Sequence, residues 1–153
     1  MPDSQDARFT EGSVASVRMT LTVTRYHQQL LELAGILINE EQRHRYSLAV
    51  IVAHMACEMA VERVVAEVTA GVSRSPKMHG YNLGNETNLT IYTRLTGDEI
   101  QNRTSFWGKF EKSANRRNNI VHNRLIPSPE EAAESLVATT ALIRYLEHRF
   151  GIG

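Results

Sequence analysis

Apolar residues recur every three to four positions through most of this chain, and Pro and Gly are scarce inside the segments that show the pattern. That spacing puts the apolar side chains on one side of an α-helix. The first long helix is predicted over about residues 14–38, on the spacing of Val23, Tyr26, Leu30, Leu33, Ile36 and Leu37. Its β-branched stretch from Thr20 to Thr24 weakens the propensity. The second is predicted over about residues 41–70. It is apolar almost all round between Leu48 and Val68, which marks the central helix of a fold. Gly71 stands where a helix ends in a left-handed residue. The third spans roughly residues 102–121, with Phe106, Trp107, Phe110 and Ala114 on its apolar face. The last opens cleanly: Ser128 suits the N-cap, Pro129 the first helical position, and Glu131 completes a capping box. Ala132, Ala133, Leu136, Val137, Leu142, Ile143, Leu146 and Phe150 carry its core face, and Gly151 closes it.

Punctuation collects in two places. Gly71, Pro76, Gly80 and Gly84 break the chain after the second helix, and Pro127 and Pro129 break it before the last. Between them, residues 72–101 are less regular. Leu89, Ile91, Tyr92 and Leu95 suit a short helix or one packed loop, and a long excursion inside a compact domain is often functional. Arg74, Lys77 and His79 either meet a ligand there or sit on a solvated surface, the commoner arrangement. No strand pattern appears. The expected fold is all-α: a bundle of about four long helices plus a short helix or packed loop in residues 72–101. Residues 1–12 read as a flexible N-terminus and 13–151 as a single helical domain.

With 153 residues the chain can build one core of its own. Its formal net charge is zero, so no chain-wide basic field exists and any contact with nucleic acid must be local. Cys57 is the only cysteine, which rules out an intrachain disulfide and favours a reducing, cytoplasmic location. The polar N-terminus is not a signal peptide, and the sequons at Asn85, Asn88 and Asn102 therefore carry no weight. The most apolar run, Leu48 to Val65, is broken by His54, Glu58, Glu62 and Arg63, so no membrane span is expected.

The local charge that matters lies near the C-terminal end. Residues 101–124 hold Arg103, Lys109, Lys112, Arg116, Arg117 and Arg124 against one acid, Glu111. Within them, Arg117-Asn118-Asn119-Ile120-Val121-His122 places a guanidinium, a carboxamide and an imidazole inside about two helical turns. Arg grips phosphate with paired donors, and His moves a proton near neutral pH. Together they suit phosphodiester chemistry that needs no metal or other cofactor. Lys112, Arg116 and Arg124 are candidate phosphate contacts beside them. The plain alternative is a helix end whose basic residues complement the macrodipole.

The second helix carries a polar stripe that solubility does not require. His54, Glu58 and Glu62 stand at i, i+4 and i+8 within AVIVAHMACEMAVERVV, stacked on one face. A buried carboxylate is costly unless paired, so Glu58 should have a cationic partner, with Arg117 the first candidate. Otherwise Glu58 and Glu62 face solvent with Arg63 as local counterion. His54 is a supporting residue for the motif or a satisfied core histidine. His54 and Glu58 have metal-ligand spacing, but two ligands are too few for a metal centre.

These features together resemble a HEPN domain (higher eukaryotes and prokaryotes nucleotide-binding). The resemblance rests on the helical bundle, on Ala53 and Glu58 in the second helix, on Arg117-Asn118-x-x-x-His122 ending the penultimate helix, and on the capped helix that begins Ser128-Pro129-Glu130-Glu131. It covers about residues 14–150. It implies one of two roles. Many HEPN domains are metal-independent endoribonucleases of toxin–antitoxin, phage-defence or CRISPR-associated systems. They form homodimers in which two Arg/His motifs meet in one composite site. Others are non-catalytic modules that bind nucleotide, RNA or a protein partner. On the resemblance, Arg117 and His122 match the catalytic pair, Asn118 the residue that supports it, and Glu58 the polar position of the second helix. Asn118, one turn before His122, is expected to fix the ring's tautomer, and Glu58 to orient Arg117. One toxin branch carries a tyrosine two residues after the histidine, which an antitoxin partner modifies. Arg124 stands there, so that regulation is not expected and phosphate contact is favoured. A purely structural dimer, with Arg117, His122 and Glu58 tying the interface, is a further alternative.

Overall fold

The structure is a computed structural model and describes residues 26–39, 44–74 and 77–153. Its elements are α1 (Tyr26–Asn39), α2 (Arg45–Thr69), α3 (Glu86–Thr96), α4 (Ile100–Arg103), α5 (Trp107–Asn123) and α6 (Pro129–Phe150). The fold is all-α: four long helices form the bundle, and α3 and α4 lie in the excursion between the second and third of them. The predicted flexible N-terminus, the first part of the first predicted helix (14–25) and the predicted start of the second (41–43) lie outside the described residues.

Helix α2 is central, in contact with α1, α3, α5 and α6. Small residues let its neighbours close in: Ala53, Ala56 and Ala60 are fully buried beside Val61 and Val64. It is not covered all round, however. Leu48 and Met55 are each 44% exposed on its outer side. At the far end of the bundle, His27 Nε2 lies 2.9 Å from Glu147 Oε1, and Gln28 Nε2 donates to the same oxygen at 2.9 Å, tying α1 to α6.

Helix α6 starts as its sequence requires. Ser128 accepts from the Glu131 N–H while the Glu131 carboxylate accepts from the Ser128 N–H, satisfying two donors that the first turn leaves free. Gly151, at φ 65°, closes it. Two of its expected core positions are not core: Val137 is 64% exposed and Ala133 is also exposed. The covered stripe instead follows Ala132, Ser135, Ala138, Thr139, Leu142, Ile143 and Leu146.

The third predicted helix divides. Thr104 adopts extended backbone (φ −124°, ψ 137°), which separates the four-residue α4 from α5 and moves the start of the long helix to Trp107. The excursion is packed rather than loose. Asp98, fully buried, accepts from the Tyr92 and Tyr145 hydroxyls at 2.8 Å each and pairs with Arg149 Nε at 3.2 Å. That satisfies a carboxylate which would otherwise be costly to bury. Arg74, Lys77 and His79 are exposed.

Candidate functional site

Helices α2 and α5 meet side by side through two polar rungs. His54 Nε2 lies 2.7 Å from Ser113 Oγ, and one turn further on Glu58 Oε1 lies 3.8 Å from Arg117 Nη2. The lower rung is dry. His54 is 1% exposed and its ring centroid lies 5.6 Å from that of Phe110. Burial, then the nearby charge of Arg117, pushes its pKa down to about 4 against the pull of its Ser113 hydrogen bond, so the ring is neutral at pH 7. His54 is therefore a satisfied core histidine, buried beneath the motif rather than facing a ligand.

The upper rung opens toward solvent. Arg117 and Glu58 are half-buried, with side chains 27% and 30% exposed. Burial raises the Glu58 pKa and the Arg117 guanidinium opposes the rise. At 3.8 Å the pair is an ion pair without a short hydrogen bond, and Arg117 Nη1 separately donates to Asn118 Oδ1 at 3.2 Å. A guanidinium has five N–H donors, so several remain for an incoming anion.

His122 points elsewhere. Five residues along an α-helix turn a side chain by about 140° and carry it about 7.5 Å along the axis. Arg117 thus faces α2, while His122 is exposed and makes no hydrogen bond within the described residues. The expected link from Asn118 to the imidazole is not formed; the Asn118 oxygen accepts from Arg117 instead. Next to His122, Asn123 Nδ2 donates to Asn119 Oδ1 at 3.0 Å on an exposed face.

The expected phosphate contacts separate. Arg116 is engaged by α6: its Nη1 donates to the Glu131 carbonyl at 2.8 Å and to Ser135 Oγ at 2.7 Å, and its Nη2 lies 3.3 Å from Glu134 Oε2. With its side chain 12% exposed, Arg116 is a clamp between α5 and α6 rather than a free cation. Lys112, four residues earlier, shares that side. It lines a surface groove of about 490 Å³ with Lys109, Glu130, Glu134 and Val137, away from the Glu58–Arg117 pair. Arg124 is placed differently. It ends α5 in the left-handed region at φ 54°, exposed, about two turns past Arg117.

A rim of apolar side chains flanks this end of the bundle. Met55 is exposed one turn before Glu58 on α2 and Leu48 two turns before that, and Val121 (47% exposed) lies one turn beyond Arg117. Leu125 (41%) and Ile126 (57%) continue it into the link before α6. Ser113, the Asn119–Asn123 pair and this rim were not singled out from the sequence. The i−4 relation of Ser113 to Arg117, matching that of His54 to Glu58, is the one signal that pointed to the lower rung.

Among the described residues no three His, Cys, Asp or Glu side chains gather as a metal-holding group, and no helix is long and apolar enough to cross a membrane. The chain matches no family model, no curated protein and no solved structure.

Proposed function

We propose that this chain is a metal-independent endoribonuclease of the HEPN type, working as a homodimer whose two Arg117/His122 pairs make one composite site. The observation that carries the reading is the Glu58–Arg117 rung. A carboxylate on the central helix holds a half-buried guanidinium at the mouth of the α2–α5 seam, one and a half turns before an exposed imidazole. The Arg117 and His122 side chains of one chain diverge, which favours a site completed by a second copy. The exposed apolar rim of Leu48, Met55, Val121, Leu125 and Ile126 gives that copy a surface to cover.

In this mechanism unpaired RNA enters at the two-fold axis. Arg117 grips the scissile phosphate and stabilises the charge that builds on its oxygens. One His122 takes the proton from the 2′-hydroxyl as that oxygen attacks phosphorus. The other gives a proton to the departing 5′-oxygen. The products are a 2′,3′-cyclic phosphate and a 5′-hydroxyl. Arg124 adds a second phosphate contact along the strand. General acid–base help is worth roughly 10²–10⁴-fold. Purified protein incubated with mixed RNA and EDTA tests the reading, with Arg117→Ala and His122→Ala beside it. Cleavage that survives EDTA and collapses in both variants supports it.

One observation favours a second reading. Because Asn118 bonds Arg117 and not the ring, no hydrogen bond among the described residues orients His122 for proton transfer. A non-catalytic module would use Arg117 and Arg124 to hold RNA without cutting it. Binding without cleavage identifies that case.

A further inference from the structure

Ala133 and Val137 are spaced like core residues of α6, yet both are exposed, Val137 at 64%. They belong to a second stripe on that helix. Glu130, Ala133, Glu134 and Val137 stand at i, i+3, i+4 and i+7, one continuous helix face. With Lys109 and Lys112 of α5 they line the groove of about 490 Å³. The groove therefore has a basic wall on α5 and a wall on α6 that is both acidic and apolar. The two walls do not pair with each other. Lys109, Lys112 and Glu130 make no hydrogen bond or ion pair among the described residues, and Glu134 reaches Arg116 at 3.3 Å.

This charge pattern selects its occupant. A partner of a single charge sign suits one wall and is repelled by the other. A second copy of this chain suits both. A two-fold axis running along the groove turns the copy over, laying its α5 across this chain's α6 and its α6 across this chain's α5. Each lysine wall then faces a glutamate wall, and symmetry makes the contact twice. The lysine stems are apolar, so they cover Ala133 and Val137 while their ammonium groups reach the carboxylates. With zero formal net charge, the copies carry no overall repulsion to overcome.

We infer that the α5–α6 groove is a two-fold interface between copies of this chain, in which Lys109 and Lys112 of each copy meet Glu130 and Glu134 of the other beside Val137. The groove lies away from the Glu58–Arg117 pair, so this interface is separate from the dimer of the proposed function and does not rest on it. A chain with both interfaces assembles beyond a dimer.

The test is sedimentation equilibrium of the full chain beside two charge-reversed variants, Lys109→Glu with Lys112→Glu, and Glu130→Lys with Glu134→Lys. All four positions are exposed, and circular dichroism checks each fold. Either variant alone presents two walls of one sign, so its self-association should weaken at least about tenfold. Mixed one to one, the two variants should pair and regain the wild-type mass, because every wall again meets its opposite. Glu130→Lys alone runs in parallel, since it leaves the Glu134–Arg116 pair intact, and should show the same pattern to a smaller degree. A wild-type mass that neither variant lowers, or a mixture no heavier than its parts, overturns the interface and leaves the proposed function standing. A wild-type dimer that both variants reduce to monomer supports the interface and counts against the composite site. A wild type that stays monomeric overturns both.

Discussion

Arg117 divides its charge between Glu58 at 3.8 Å and Asn118 at 3.2 Å, and the neutral His54 lies beneath it on the α2–α5 seam. That neutrality has a consequence for stability. The folded-state pKa of His54 is about 4, against 6.5 for a free side chain. Between those values the unfolded chain binds more protons than the folded one. Stability is therefore full above about pH 6.5 and falls as pH drops toward 4, by at most about 3 kcal/mol from this residue. Glu58, whose pKa is raised, acts in the opposite sense and offsets part of the loss. Urea unfolding from pH 7.5 to 4.5 should show the decline, and His54→Gln should flatten it. An unchanged slope in the variant would remove His54 as its source. Arg124 is the other residue with a readable cost. An L-residue at φ 54° is strained by about 1 kcal/mol where glycine is not. Arg124→Gly is expected to stabilise the fold by about that amount. It should also lower the salt dependence of RNA binding by about 0.7 in log–log slope, the share of one phosphate contact on a single strand. Higher stability with an unchanged slope would take Arg124 off the RNA path.

Among the elements, α6 and the central part of α2 were legible because local rules set them. The Ser128–Glu131 box and Gly151 fix both ends of α6 with short-range hydrogen bonds. The Glu58–Arg117 pair was legible because a carboxylate inside an apolar helix needs a cation and the nearest basic segment was evident. What was not legible depends on which neighbour an element meets. Arg116 and Arg117 are adjacent in sequence and 100° apart on the helix, so one is consumed by α6 and the other faces α2. Periodicity also counted Val137 as core, yet it lies on the solvent side of the stripe through Ala138 and Leu142. The excursion that ends at the Thr104 break docks on α5 further along, at Ala114. Docking requires Gly84. A Cβ built on it would lie 2.4 Å from Ala114 Cβ, a rigid neighbour on α5. Gly84→Ala should cost about 1–3 kcal/mol, the usual range for overpacking. Gly108, also on α5, has open space around it, and Gly108→Ala should gain up to about 1 kcal/mol. Thermal melting of the two variants reads both signs. A neutral Gly84→Ala would show that the excursion does not bear on α5.

The described residues form an all-α bundle in which the polar seam between α2 and α5 emerges at an end that carries exposed Leu48, Met55, Val121, Leu125 and Ile126. On the proposed reading that end is where two copies meet and RNA is cut. Formal charge is zero over the chain, so on that reading affinity depends on the few cations at this end and should weaken with salt by about 0.7 in log–log slope for each phosphate contact. The most direct measurement is end-group analysis of RNA incubated with the purified full chain in EDTA, with His122→Ala in parallel. The account predicts 2′,3′-cyclic phosphate and 5′-hydroxyl ends from the wild type and at least a hundredfold less product from the variant, in line with the roughly 10²–10⁴-fold value of general acid–base help. No cleavage by the wild type in EDTA, or full activity in His122→Ala, would contradict it.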